Sequence, residues 1–427
     1  MNFEKICVLG LGYIGLPTAS TFATHGIKVV GVDVNPQIVA GLQNGEMHIY
    51  EPGLRTLVQA ARKSNNLVVC EKPEHADAFL IAVPTPFYDD KRADMRAVIS
   101  AAEAVVPVLQ RGNLVVLEST SPPRTTVDLL IPILERSGMK AGEDFHVVYS
   151  PERVLPGQIL RELIENARVI GGFSPACAEA GRDLYATFVR GEIILTDATT
   201  AEMVKLMENT YRDVNIAIAN EFSRLANRFG VDAWEAIRLA NLHPRVRILN
   251  PGPGVGGHCI SVDPWFLVEA APDLAHLIHA ARTVNDGQPE FTVALIERAL
   301  GGLRGKRIAA LGLAFKADVD DLRESPAVEV CHLLRAAGAE VLAYEPFKPD
   351  ARIDGVESRP TLGEILDEAD ALVLLVGHAA LRGLDPVEVA QLTKARIVVD
   401  CVKGWDAAAW RYNGFHVYRL GDAKNVA

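Results

Sequence analysis

The chain has 427 residues, 49% of them apolar and 23% charged, and a formal net charge of −11. That length exceeds what one ordinary core organises, so two or three domains are expected, and the composition excludes long disordered tracts. An acidic chain without clustered Lys and Arg has no electrostatic reason to bind nucleic acid or an anionic membrane, and neither is expected as a partner.

The first apolar run, Ile6 to Leu11, is broken by Gly10 and Gly12; it is too short to span a bilayer and lacks the basic start of an export signal. The six cysteines, Cys7, Cys70, Cys177, Cys259, Cys331 and Cys401, are scattered with no C-x-x-C pair. That pattern argues against disulfides and any metal site, and for a reducing cytoplasm.

"KICVLGLG" reads as a strand entering a glycine turn, "LPTASTFATHG" as a helix and "KVVGVD" as the next strand, together one βαβ unit. In "GLGYIG", Gly10, Gly12 and Gly15 flank Tyr13 and Ile14 between strand and helix, where backbone N–H groups and the helix dipole can meet a pyrophosphate. Asp33 ends the following strand; its carboxylate suits ribose hydroxyls and repels a 2′-phosphate, which favours NAD over NADP. The alternative is a tight turn without a ligand.

"AFLIAVPTP", "NLVVLEST" and "FHVVYSPE" continue the alternation of strand and helix and end in polar or proline-rich residues, at the sheet edge where such folds place ligands. From Thr196 to Ala240 the pattern is helical. Lys205 and Asn209 stand four apart on one face, either directed into a cleft or on a solvated surface beside Glu202 and Glu208. In "GPGVGGHCISVDP", Cys259 follows glycines that would let a substrate carbon approach its sulfur; the alternative is a cysteine packed under a glycine loop. His258 suits local orientation or substrate contact better than proton abstraction. Glu152 in "YSPERVLPG" and Asp263 in "SVDP" are either chemical groups or helix caps.

After more helix to about Leu300, "KRIAALGLAF" parallels "EKICVLGLGY" without the complete Gly-x-Gly-x-x-Gly. The expected fold is therefore α/β: two Rossmann-like, doubly wound parallel-sheet domains, 1–195 and 301–427. A central helical segment, 196–300, joins them and carries Cys259, a long helix and a seam for a homodimer.

Taken in order, "GLGYIGLP", "VPTP", "EST", "SPERVLPG", "EMVKLMENTYRDVNIAIANE", "GPGVGGHCISVDP" and "GLAFKADVDDLRESPA" resemble the UDP-glucose/GDP-mannose 6-dehydrogenase family along essentially the whole chain. "GGHCISVDP" is similar to the branch acting on UDP-N-acetylhexosamines, and "SPERVLPG" resembles the N-acetylmannosamine form more than the N-acetylglucosamine form. The resemblance implies oxidation of the C6 alcohol of a UDP-sugar to a carboxylate with two equivalents of NAD, held between oxidations as a thiohemiacetal and then a thioester on Cys259. A two-electron β-hydroxyacid-type dehydrogenase would share the first domain but has no use for Cys259.

The same resemblance implies roles residue by residue. Lys205 and Asn209 would stabilise the oxyanion, Asp263 would help place water and Glu152 would act as base in hydrolysis. Thr120 would stand near the nicotinamide. Pro84, Thr85, Ser119 and Arg323 would contact the cofactor. Arg153, Val154, Gly256, His258, Phe315 and Lys316 would contact the sugar nucleotide. His243, Arg245 and Arg247 would approach the sugar or diphosphate, against the alternative of a charged helix end facing water.

Overall fold

The computed structural model describes residues 1–155, 157–257 and 259–425. It divides into two compact units, Met1–Glu208 with Trp265–Pro272, and Asn209–Pro264 with Asp273–Ala427.

The first unit is built on strands β1 (Lys5–Leu9), β2 (Lys28–Val32), β3 (Leu67–Cys70), β4 (Ala78–Ile81), β5 (Leu114–Leu117), β6 (His146–Tyr149), β7 (Arg168–Gly172) and β8 (Ile193–Asp197). They lie in one sheet in the order β3-β2-β1-β4-β5-β6-β7-β8. Because side chains alternate across a strand, Ile6 and Val8 of β1 enter one core while Cys7 and Leu9 enter another on the opposite face. Strands β1 to β6 are parallel neighbours, as the continuous apolar runs lead one to expect. One pairing departs from that expectation: β7 runs antiparallel to β6, with Val148 opposite Gly172 and Tyr149 opposite Gly171. Strand direction depends on partners distant in sequence, which a local apolar pattern does not encode. The reversal brings the first residue of β7, Arg168, to the edge where β5 and β6 end.

The second unit repeats the plan with β9 (Arg307–Leu311), β10 (Glu340–Tyr344), β11 (Glu357–Ser358), β12 (Ala371–Leu374), β13 (Ile397–Asp400) and β14 (His416–Arg419), all parallel, in the order β11-β10-β9-β12-β13-β14. Alternate residues of β9 again feed two cores, Ile308 and Ala310 on one face and Ala309 and Leu311 on the other.

A single helix, Ala198–Phe229, begins in the first unit and ends in the second. In the second unit it is fastened to the helix His276–Asp286 by buried polar groups. The Arg282 guanidinium pairs with Asp213 at 2.6 Å, and Asn285 donates to the same carboxylate at 2.8 Å. Asn220 in turn donates to Asn285 Oδ1 at 2.9 Å. Each of these side chains has at least one partner, although Asp213 Oδ2 and Arg282 Nε have none among the described residues.

Candidate active site

In the first unit, the turn after β1 has a backbone shape that only glycine accommodates at two of its three positions. Gly10 sits at φ 91°, and a Cβ there would stand 2.5 Å from the Ala82 carbonyl oxygen; a Cβ on Gly15 would stand 1.8 Å from the Gly10 oxygen. Gly12 differs, since a Cβ there would meet nothing within 4 Å. Its missing side chain leaves open space at the start of the helix Gly15–Thr24, which no side chain caps and whose first turn carries no carboxylate. Asp33 accepts the N–H groups of Leu11 at 3.0 Å and Asn35 at 2.9 Å and remains half-buried, so its carboxylate keeps acceptor capacity for ribose hydroxyls. An open N–H-lined turn beside an acceptor fits a dinucleotide.

The loops after β4, β5 and β6 emerge at the same sheet edge. Pro84 is exposed and Thr85 half-buried; Ser119 is buried and donates to the Val83 carbonyl at 2.7 Å; Thr120 follows it, half-buried. Glu152 Oε1 accepts the Arg153 backbone N–H at 2.7 Å, and Glu152 Oε2 is paired with the Arg168 guanidinium at 2.6 Å. Arg153 reaches Glu208 at 2.7 Å, while Val154 packs against the core.

On the long helix, Lys205 and Asn209 are both buried, which rules out the solvated-face reading. Glu202 is buried as well: it accepts Arg124 N–H at 2.5 Å, Thr126 N–H at 2.8 Å and the Thr126 hydroxyl at 2.7 Å, and burial raises its carboxyl above the ordinary range.

In the second unit, Cys259 opens a tight turn whose carbonyl accepts the N–H groups of Val262 at 3.0 Å and Asp263 at 2.8 Å. Asp263 begins the helix Asp263–Ala270, and Asn209 Nδ2 donates to its carboxylate at 2.5 Å. Cys259 is partly accessible, whereas burial pushes the thiols of Cys7 and Cys331 up to about 12 and that of Cys401 well above its ordinary value. A thiol held that high is inert, so these three are packing groups. The glycines before Cys259 have a packing reason within the chain itself. A Cβ on Gly256 would lie 2.4 Å from the Glu324 carbonyl oxygen, on Gly257 2.9 Å from the Phe315 ring and on Gly254 2.7 Å from Pro326, so they admit the chain's own 315–326 segment. His258 lies outside the described residues.

A cleft of about 710 Å³ opens in the second unit. Arg238, Lys316, Arg382 and Lys403 supply four cations along it, and Trp234 and Phe315 supply aromatic surface. Cations beside flat apolar walls suit an anion joined to a base. Arg323 instead makes a two-pronged pair with Asp321, at 2.9 and 2.7 Å, and His243, Arg245 and Arg247 are exposed and do not line the cleft.

Three regions match domains of one family: residues 4–189 its NAD binding domain, 199–287 its central domain and 309–407 its UDP binding domain. The chain belongs to the UDP-glucose/GDP-mannose dehydrogenase family. It is an NAD-dependent nucleotide-sugar dehydrogenase. It is 49% identical to the NDP-N-acetyl-D-galactosaminuronic acid dehydrogenase of Ralstonia nicotianae, across 95% of this chain and 97% of that one. It is 46% identical to the UDP-N-acetyl-D-mannosamine dehydrogenase of Methanococcus maripaludis, across 99% and 98%. The solved UDP-D-ManNAc dehydrogenase of Pyrococcus horikoshii superimposes with a TM-score of 0.92 at 39% identity, across 98% of this chain and all of that one.

In this dehydrogenase Phe315 and Lys316, which the resemblance assigns to substrate contact, both line the cleft. Trp234, Arg238, Asn241, Arg382 and Lys403 line it too and are not among the residues expected from the sequence. Arg382 and Lys403 follow β12 and β13, and the rule that ligands gather beyond the carboxyl ends of parallel strands would have singled them out.

Proposed function

We propose that this dehydrogenase oxidises the C6 alcohol of a UDP-N-acetylhexosamine, UDP-N-acetyl-D-mannosamine first among them, to the uronate that enters surface polysaccharide synthesis. The observation that carries this reading is the Cys259 turn, a partly accessible thiol one helical turn from a carboxylate that Asn209 orients. Bound NAD accepts a hydride in each of two oxidations. Cys259 Sγ adds to the C6 aldehyde to give a thiohemiacetal, and its oxidation leaves a thioester that water cleaves to the carboxylate and free thiol. Lys205 and the Asn209 amide stabilise the oxyanion, Asp263 places water with Thr120 assisting, and Glu152 takes the water's proton. The four cations of the cleft hold the diphosphate. Pro84, Thr85 and Ser119 would contact the cofactor, with Thr120 near the nicotinamide.

NADH released per sugar, with products weighed by mass spectrometry, tests this directly. Two NADH and an acid are expected from UDP-N-acetylmannosamine, and Cys259→Ala is expected to make no acid while still binding NAD. The relative at 49% identity favours the galacto sugar as a second reading, so UDP-N-acetylgalactosamine and UDP-N-acetylglucosamine are offered separately. Acid from only one of these moves the substrate and keeps the mechanism; acid from the Cys259→Ala enzyme at the normal rate removes the covalent mechanism.

We further propose a homodimer that forms through the long helix. Met207, Tyr211, Ile218, Phe222, Leu225 and Phe229 recur at helical spacing and are exposed, Tyr211 at 71% and Phe229 at 73%. A stripe of that kind is normally covered by a partner. Light scattering is expected to give twice the chain mass and Phe222→Asp half of that; a monomeric unaltered protein at working concentration rejects the seam. The free cysteines and the need for NAD support a cytoplasmic setting.

A further inference from the structure

Behind Glu152 in the first unit lies a buried charge cluster that the roles above leave unused. Arg168 is fully buried at the start of β7. Its guanidinium contacts Glu152 at 2.6 Å, the Ser150 hydroxyl at 3.0 Å and, at 3.6 Å, a second carboxylate, Glu118, which follows β5. Glu118 is buried too. Its Oε1 accepts the Tyr185 hydroxyl at 2.5 Å, and among the described residues its Oε2 has no hydrogen-bond partner. The Tyr185 ring lies under the guanidinium, 4.3 Å away. One arginine thus faces two carboxylates in a site with little water, and only one of them can be fully neutralised by it.

We propose that Arg168 and Glu118 are positioning residues for the acid-forming step: Arg168 fixes the Glu152 carboxylate, and Glu118, competing for the same guanidinium, sets how strong a base Glu152 is. This rests on the reading of Glu152 as the base of thioester hydrolysis. In that step a water oxygen bonds to the thioester carbon and one water proton passes to Glu152. The C–S bond breaks with its electron pair going to Sγ. The strength with which Arg168 holds Glu152 decides how readily that proton is taken, since a carboxylate whose charge is fully matched is a poor base.

Glu118 supplies the adjustment. Burial, with the neighbouring Glu152 charge added to it, raises the Glu118 carboxyl to about 7 against the pull of Arg168 and the Tyr185 hydrogen bond. Below that pH Glu118 is neutral and the arginine is committed to Glu152. Above it Glu118 is ionised, draws on the same guanidinium and repels Glu152 directly, so Glu152 becomes more basic. The charged and titratable groups facing Glu118 are Arg168, Glu152 and Tyr185.

The test is the decay of the thioester on Cys259 in a single turnover, followed by mass spectrometry from pH 5.5 to 9 in the full-length protein with its cosubstrates. The decay rate is expected to rise in a step near pH 7. Glu118→Gln keeps an acceptor for Tyr185 and is expected to abolish that step, leaving decay several-fold slower above pH 8. Arg168→Lys keeps the charge but not the fork and is expected to slow decay on the order of tenfold to a hundredfold through misplacement of Glu152. An NAD titration that matches the unaltered protein shows that each variant is folded. A Glu118→Gln enzyme that retains the step near pH 7, or an Arg168→Lys enzyme with normal decay, overturns the proposal. Glu152→Gln separates it from the reading beneath it: normal decay in that variant removes Glu152 as the base, whereas slow decay there with an unchanged Glu118→Gln profile removes only the positioning role.

Discussion

The two Rossmann-like sheets of this dehydrogenase carry the same turn and use it in opposite ways. In the first, Gly10 N–H bonds the Val32 carbonyl at 2.8 Å; in the second, Gly312 N–H bonds the Tyr344 carbonyl at 2.9 Å, so Leu11 matches Leu313, Gly12 matches Ala314 and Asp33 matches Glu345. Asp33 accepts two backbone N–H groups and stays half-buried. Glu345 accepts the N–H groups of Leu313, Ala314 and Phe347 at 2.7 to 3.0 Å and the His378 ring at 3.0 Å, and is fully buried. A carboxylate has about four acceptor sites, so the second is used up inside the fold while the first keeps capacity for a ligand. An added methylene, a methyl in place of a hydrogen at 314 and a histidine at 378 turn a dinucleotide site into a structural knot. His378 Nδ1 also accepts the Asp318 N–H at 2.9 Å, so the knot anchors the loop that carries Phe315 and Lys316 into the cleft.

Removing each carboxylate therefore does damage of a different kind. Glu345→Ala strands the buried N–H groups of Leu313 and Ala314, the part-buried N–H of Phe347 and a histidine, and is expected to cost about 3–5 kcal/mol of stability. Asp33→Ala is expected to cost less than about 1 kcal/mol of stability but to weaken NAD by about 1.5–3 kcal/mol and to narrow the preference for NAD over NADP. Urea unfolding followed by tryptophan emission suits the first, because three of the four tryptophans, Trp234, Trp405 and Trp410, belong to the second unit. Dinucleotide titration reads the second. Two variants that lose stability equally, or a Glu345→Ala protein that unfolds normally, would break the comparison.

The repeated plan itself was legible in the sequence, because "KICVLGLG" and "RIAALGLA" each combine a buried parallel strand with a glycine turn, and both signals are local. The long helix and its end before Gly230 were legible for the same reason. What the sequence did not disclose depends on partners far along the chain. The antiparallel entry of β7 places Arg168 against Glu118 and Glu152, residues 50 and 16 positions away. Burial of Glu202 under the Arg124–Thr126 turn is of the same kind, and so is the packing of the Cys259 glycines against Phe315 and Pro326. In that loop a glycine pattern that suggests space for a substrate also makes space for the protein's own Glu324 carbonyl, Phe315 ring and Pro326.

The last expected effect concerns acid. Glu118 titrates at about 7 in the fold against an ordinary value of 4.5, so between those values the folded protein holds a proton that the unfolded chain has released, and stability falls as pH rises through that window. The isostere Glu118→Gln lacks this titration. It is expected to gain on the unaltered protein from pH 4.5 to 7, by up to about 3 kcal/mol if the whole shift is expressed in stability. Glu345 behaves with the opposite sign. Burial would raise its carboxyl, but the His378 bond and the backbone N–H groups overcome that and hold it below the ordinary range. Its contribution is therefore complete above about pH 4.5 and is lost only as pH falls below that value, so the deficit of Glu345→Gln is expected to stay constant from 4.5 to 7 and to shrink at lower pH. Hydrogen exchange of β5 and β10 amides in the full-length protein, corrected for the intrinsic pH dependence of exchange, reads both differences in one sample. A Glu118→Gln advantage that does not grow across the window would mean that the first cluster is as fully satisfied as the second, and that the two carboxylates differ in neighbours but not in kind.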